Sequence, residues 1–241
     1  MLSPTFFAVF TASLIACLIT TLGIVVISRF EAWARRRLVH FMSYAAGVLI
    51  TISFLHIIPE SFEQSASAPL FLLLGFFGLH LVNRVLHVHL HEHKHHAHGI
   101  IPMVGIGFHS LLDGAIYSVT FNVSIFTGAL AALGMILHEF PEGIVTYILL
   151  NQAGYSSRKS FVLAFAAAGL STPLGTLLSY PFISALSGPV LGRLLAISAG
   201  ALLYVGATHL LPKTEREPVP WMLVSLGAGI LTAVGIVSFG K

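Results

Sequence analysis

Two short stretches carry the residues best suited to chemistry: HSLLDG at His109–Gly114 and HEFPEG at His138–Gly143. Each places an imidazole and a carboxylate four residues apart, His109 with Asp113 and His138 with Glu142. On a helix that spacing is about 40° of rotation, so both groups of a pair leave from one face. Two such helices facing each other would bring two nitrogens and two carboxylate oxygens together, a donor set that suits a borderline divalent cation such as Zn²⁺. Glu139, next to His138, adds a third carboxylate at the same level. The only cysteine, Cys17, lies in an apolar run, which argues against thiolate clusters and Cu(I). The same groups would also serve as two hydrogen-bonded His–carboxylate pairs gluing two helices, but that leaves the repeated ionisable pattern without a cause.

The elements that must position these residues are apolar. Of 241 residues, 56% are hydrophobic and only 9% are charged, against about 25% charged in a soluble domain. An ordinary water-soluble protein is excluded. The formal charge of +3 does not point to nucleic acid, because the basic residues are spread over short connections. Breaking the chain at its polar, Pro and charged clusters gives eight stretches near the length of a bilayer crossing: 5–28, 39–60, 69–88, 101–121, 125–150, 160–183, 190–211 and 219–239. The expected fold is an all-α integral membrane protein, a single transmembrane domain over 1–241 with the lipid bilayer as its partner. The first stretch lacks a basic leader and is followed by Arg29 and Arg35–Arg37, so it reads as a retained helix. With both termini outside, ten of the twelve basic residues fall in or beside inner connections, leaving Arg193 and Lys241 outside. The stretch 87–100, with seven histidines between His87 and His98, is then a cytoplasmic metal-collecting loop.

Internal repetition points the same way. A shift of 153 positions lays Ala46, Gly47, Leu49, His56 and Pro59 of helix 2 on Ala199, Gly200, Leu202, His209 and Pro212 of helix 7. A shift of 29 lays His109 and Asp113 of helix 4 on His138 and Glu142 of helix 5. Both pairs run in opposite senses across the bilayer, so the repeats are inverted, with helices 1–3 set against 6–8 and helices 4 and 5 central. His56 then belongs to the outer approach and His209 to the inner exit. Intramembrane ionisable groups cost roughly 2.5–3.5 kcal/mol each and mark ion pathways. Pro141, which has no N–H, is expected to interrupt the hydrogen-bond ladder inside helix 5 and free a carbonyl near Leu137.

At these residues the chain resembles the ZIP (Zrt/Irt-like) metal transporter family, and the resemblance covers its whole length. It implies eight helices, outside termini, a His-rich inner loop between helices 3 and 4, and metal motifs in helices 4 and 5. Carried over by position, His109, Asp113, His138 and Glu142 line the main transport site, Glu139 borders it, and the ATHLLP stretch supplies His209 on the exit route. Two-metal members have an Asn after the first His and a Glu before the helix 6 proline, where this chain has Ser110 and Thr172, so one metal is expected. Asp113 stands where the family has Glu, a reach shorter by one methylene. The implied function is transport of divalent transition metals into the cytoplasm by alternating access, zinc foremost, with iron, manganese or cadmium as alternatives. The metal is substrate and no cofactor is implied. A homodimer in a prokaryotic plasma membrane is also expected. Two other readings stand beside this one. An intramembrane zinc metalloprotease has HExxH where this chain has HExxE, with an LDG like Leu112–Gly114, but Glu142, Pro141 and the motif order all fit it poorly. A metal sensor without transport differs from a carrier in showing no uptake.

Overall fold

The computed structural model describes residues 3–90, 97–186, 188–212 and 220–239. They form eight helices: α1 (Pro4–Arg29), α2 (Glu31–Gln64), α3 (Ala68–Leu90), α4 (Ala97–Val123), α5 (Ile125–Gln152), α6 (Ser157–Ile183), α7 (189–212) and α8 (Pro220–Phe239). Ser3 caps α1 by accepting from the Phe6 amide, with Pro4 at the first helical position, where its missing N–H costs nothing. Ser124 alone joins α4 to α5. Its extended backbone reverses the chain and its hydroxyl caps the Thr127 amide, so the two site-bearing helices are forced antiparallel.

Among the described residues, six of the eight helices are by length and composition sufficient to cross a membrane: α1, α2, α5, α6, Pro189–Thr208 of α7 and Trp221–Ser238 of α8. The apolar stretch of α3, Ala68–Val82, is shorter. α4 is not among the six, and it is the helix carrying His109, Ser110, Asp113 and Asn122. The burial pattern is that of a membrane protein. Leu18, Phe77, Phe182 and Leu231 are exposed, whereas Thr20, Ser43, Ser110, Thr120 and Thr172 are fully buried.

α5 runs continuously through Pro141. The irregular backbone lies elsewhere, in π-helical turns at Ser53–Ile57 of α2, Phe165–Gly169 of α6 and Val205–Leu210 of α7. The first and last carry His56 and His209, so the shift of 153 aligns a backbone irregularity as well as a side chain. α3 continues through Leu90 and α4 begins at Ala97, which puts His87, His89 and His98 on helical residues. The loop histidines between them, His91, His93, His95 and His96, lie outside the described residues.

Four helix pairs pack closely through reciprocal glycines, and their contacts are symmetric. Gly23 of α1 lies against the Phe140 carbonyl of α5 and Gly143 of α5 against that of Thr20; Gly175 of α6 lies against Leu111 of α4 and Gly114 of α4 against Thr172. Gly47 of α2 meets Leu226 of α8 and Gly229 of α8 meets Tyr44; Gly200 of α7 meets Leu72 of α3 and Gly75 of α3 meets Ile197. A Cβ at any of the eight would fall inside the radius of the facing carbonyl oxygen, which is why glycine is required. Each contact in the α1/α5 and α2/α8 pairs has a counterpart in the α4/α6 and α3/α7 pairs, as an inverted-repeat architecture requires.

Candidate metal centre

The i,i+4 pairs on α4 and α5 meet at mid-helix. His138 Nε2 lies 3.2 Å from Asp113 Oδ2 and 3.6 Å from Glu142 Oε2, and His109 Nε2 lies 3.5 Å from Asp113 Oδ2 and 3.7 Å from Glu142 Oε2. Each residue offers one atom to every contact, and all four atoms lie within 4.8 Å of one another. A tetrahedral Zn²⁺ with bonds of roughly 2.0–2.2 Å has ligand–ligand edges of roughly 3.3–3.6 Å. Four edges of the cluster, at 3.2–3.7 Å, are therefore close to metal-bound length.

The cluster is layered. Asp113 and His138 are 1% and 2% exposed, whereas His109 and Glu142 are 20% and 10% exposed. His109 precedes Asp113 on α4 and Glu142 follows His138 on α5, so the accessible layer lies toward the end of the bundle where α5 joins α6. Ser110 donates to Glu142 Oε1 at 2.6 Å, fixing the carboxylate with its other oxygen turned to the histidines. The Nδ1 of His138 is buried without a partner among the described residues.

Glu139 is not in this group. Fully buried, it faces the other way, where Thr172 of α6 donates to Oε1 at 3.2 Å and Thr20 of α1 donates to Oε2. Thr20 went unnoticed in the sequence, although a shift of 152 relates it to Thr172, as it relates Gly23 to Gly175. His56 is likewise apart from the cluster: its Nε2 is 3.1 Å from Thr127 Oγ1, and its ring sits edge-on to Phe126 at 5.1 Å. His209 is placed on the α7 π-turn, and its side chain lies outside the described residues.

These features define a multi-pass α-helical membrane protein with a His/Asp/His/Glu cluster on its fourth and fifth helices that could hold a metal ion. The chain belongs to the family described as ZIP zinc transporter, whose sequence profile matches residues 4–101 and 93–239. That is a family of transporters, which sets aside the metalloprotease alternative. The chain is similar to the zinc transporter ZIP13 of Pongo abelii, 24% identical over 237 residues that cover 88% of this chain and 70% of that protein. It is similar to the zinc transporter ZupT of Escherichia coli, 25% identical over 76% of this chain and 77% of the relative. A shorter match, 26% identical over 54% of this chain and 27% of the relative, links it to the metal cation symporter ZIP14 of Bos taurus. Relatives thus span bacteria and mammals.

Proposed function

We propose that this chain carries a divalent transition-metal ion, zinc foremost, with iron, manganese or cadmium as alternatives, into the cytoplasm as substrate. His109, Asp113, His138 and Glu142 hold one ion, Glu139 borders the site, and His56 and His209 serve its outer approach and inner exit. The reading rests above all on one observation: four donor atoms from two antiparallel helices already stand at nearly tetrahedral spacing. A carrier needs that site reachable from one side at a time. The accessible His109/Glu142 layer lies toward the end that the basic residues assign to the cytoplasm, so the conformation reads as inward-open. The two halves, helices 1–3 and 6–8, are inverted repeats that rock about α4 and α5, with all eight helices crossing a prokaryotic plasma membrane and both termini outside. The functional unit is a homodimer.

Uptake into proteoliposomes, compared across Zn²⁺, Fe²⁺, Mn²⁺ and Cd²⁺, tests this directly. Alanine at Asp113 is expected to abolish uptake in protein that remains folded and inserted. Near-normal uptake by that variant would sink the assignment, and binding without uptake by the unmodified chain would favour a sensor.

A further inference from the structure

The start of α2 has no role in the metal centre, yet it is unusually equipped. Phe30 alone separates α1 from α2, and around it stand four arginines: Arg29, Arg35, Arg36 and Arg37. Arg35 is paired with Glu31 at 2.9 Å, whereas no ion pair among the described residues engages Arg29, Arg36 or Arg37, all of them exposed. Trp33, Arg36 and Arg37 share a face of α2, since 33, 36 and 37 are at i, i+3 and i+4. One further turn into the bilayer, that face continues as Phe41, 38% exposed, whose ring lies 6.3 Å from Trp33 and 4.8 Å from Phe140 of α5. Along one helix face the residues thus run from the indole of Trp33, 48% exposed, through Arg36 and Arg37, to the apolar ring of Phe41, and the Trp33 ring extends along that face to within 6.3 Å of the Phe41 ring.

We propose that this face is a binding site for an anionic phospholipid of the adjoining leaflet. Arg36 and Arg37 take the phosphate of the headgroup, Trp33 marks the interface, and an acyl chain lies along Phe41 and Phe140. The step from the arginine pair to the apolar rings of Phe41 and Phe140 matches an amphiphile, and the charge complements an anionic headgroup but not a zwitterionic one. Basic residues spread only to orient a membrane protein would need no such alignment with an exposed aromatic ladder.

The chain has two tryptophans, so a Trp221→Phe background leaves Trp33 as the only indole. In nanodiscs of phosphatidylcholine containing one-quarter phosphatidylglycerol, bromine is placed on the acyl chains of one lipid or the other and quenching of Trp33 is measured. Brominated phosphatidylglycerol is expected to quench well beyond its share of the lipid. Arg36→Gln and Arg37→Gln should each reduce its enrichment about fivefold, while quenching by brominated phosphatidylcholine at full substitution stays constant and shows that Trp33 keeps its place. Arg158→Gln/Lys159→Gln removes twice the charge of either single variant from elsewhere on the protein and should leave the enrichment standing. Quenching in proportion to lipid share, or equal loss in the Arg158/Lys159 variant, would overturn the proposal. Neither readout involves metal uptake, so failure here is distinct from failure of the transport reading.

Discussion

Glu139 and Glu142 sit three residues apart on α5, both deep in the bundle, yet their surroundings differ in kind. Glu142 turns toward α4, where it meets two imidazoles and the Ser110 hydroxyl. Glu139, about 60° away around the helix, turns toward α1 and α6, where two threonines donate to its two oxygens. A carboxylate among nitrogen donors, with one edge exposed, is equipped to exchange a cation. One enclosed by hydroxyls is equipped to stay where it is, tying three helices together. A buried carboxylate therefore cannot be assigned from its helix alone; the facing helices decide.

The largest test of that contrast compares the two carboxylates directly. Glu142→Ala removes one of the four proposed ligands and should cut zinc uptake and zinc affinity by about 100-fold or more, whereas Glu139→Gln, proposed only to border the site, should lose about tenfold or less. Uptake into vesicles together with competition against a chelator reads both. Equal losses would show that Glu139 is itself a ligand during the cycle and would erase the distinction.

The second test acts on the packing that supports the Glu139 clamp. Gly143 presses against the backbone of Thr20, and Gly114 against that of Thr172. Adding a methyl group at either position must push α1 or α6 away, at about 1–3 kcal/mol, and carry one threonine off Glu139. Gly143→Ala and Gly114→Ala are expected to lower the unfolding midpoint in detergent by similar amounts. Gly78→Ala, where a Cβ would meet nothing within 4 Å among the described residues, should change it little. Unequal effects at 114 and 143 would break the symmetry between the two helix pairs.

What was legible in the sequence follows from the kind of signal each feature leaves. The intramembrane cluster on helices 4 and 5 was legible because ionisable residues are rare in apolar stretches and their i,i+4 spacing fixes a face. The packing was not, because glycine is common in membrane helices and no single Gly announces a close approach. Only the facing carbonyls show that Gly23, Gly114, Gly143 and Gly175 belong to one arrangement. Pro141 lies inside a continuous α5, and the π-helical turns, two of them in the segments bearing His56 and His209, left no mark in the sequence that sets them apart from regular helix. The partners of Glu139 were illegible because a threonine in a membrane helix ordinarily bonds its own backbone, as Thr120 does to Ile116.

The smallest effect, and the sharpest, concerns those threonines. Thr20→Val and Thr172→Val keep shape and volume while deleting one donor each, and interhelical hydrogen bonds in membranes average about 0.6 kcal/mol. Each single variant should therefore be only slightly destabilised, and by nearly the same amount, because either remaining hydroxyl still serves the carboxylate. The double variant leaves Glu139 fully buried with neither donor. An unsatisfied buried group costs about 1–3 kcal/mol or more, so the double variant should fall well below the sum of the singles, with zinc affinity at the His109/Asp113/His138/Glu142 cluster unchanged. A strictly additive cycle would mean that Glu139 finds another partner when its threonines are gone. The nearest alternative is the metal centre, and in that case zinc affinity would rise or fall with the double substitution, joining the two carboxylates into one site.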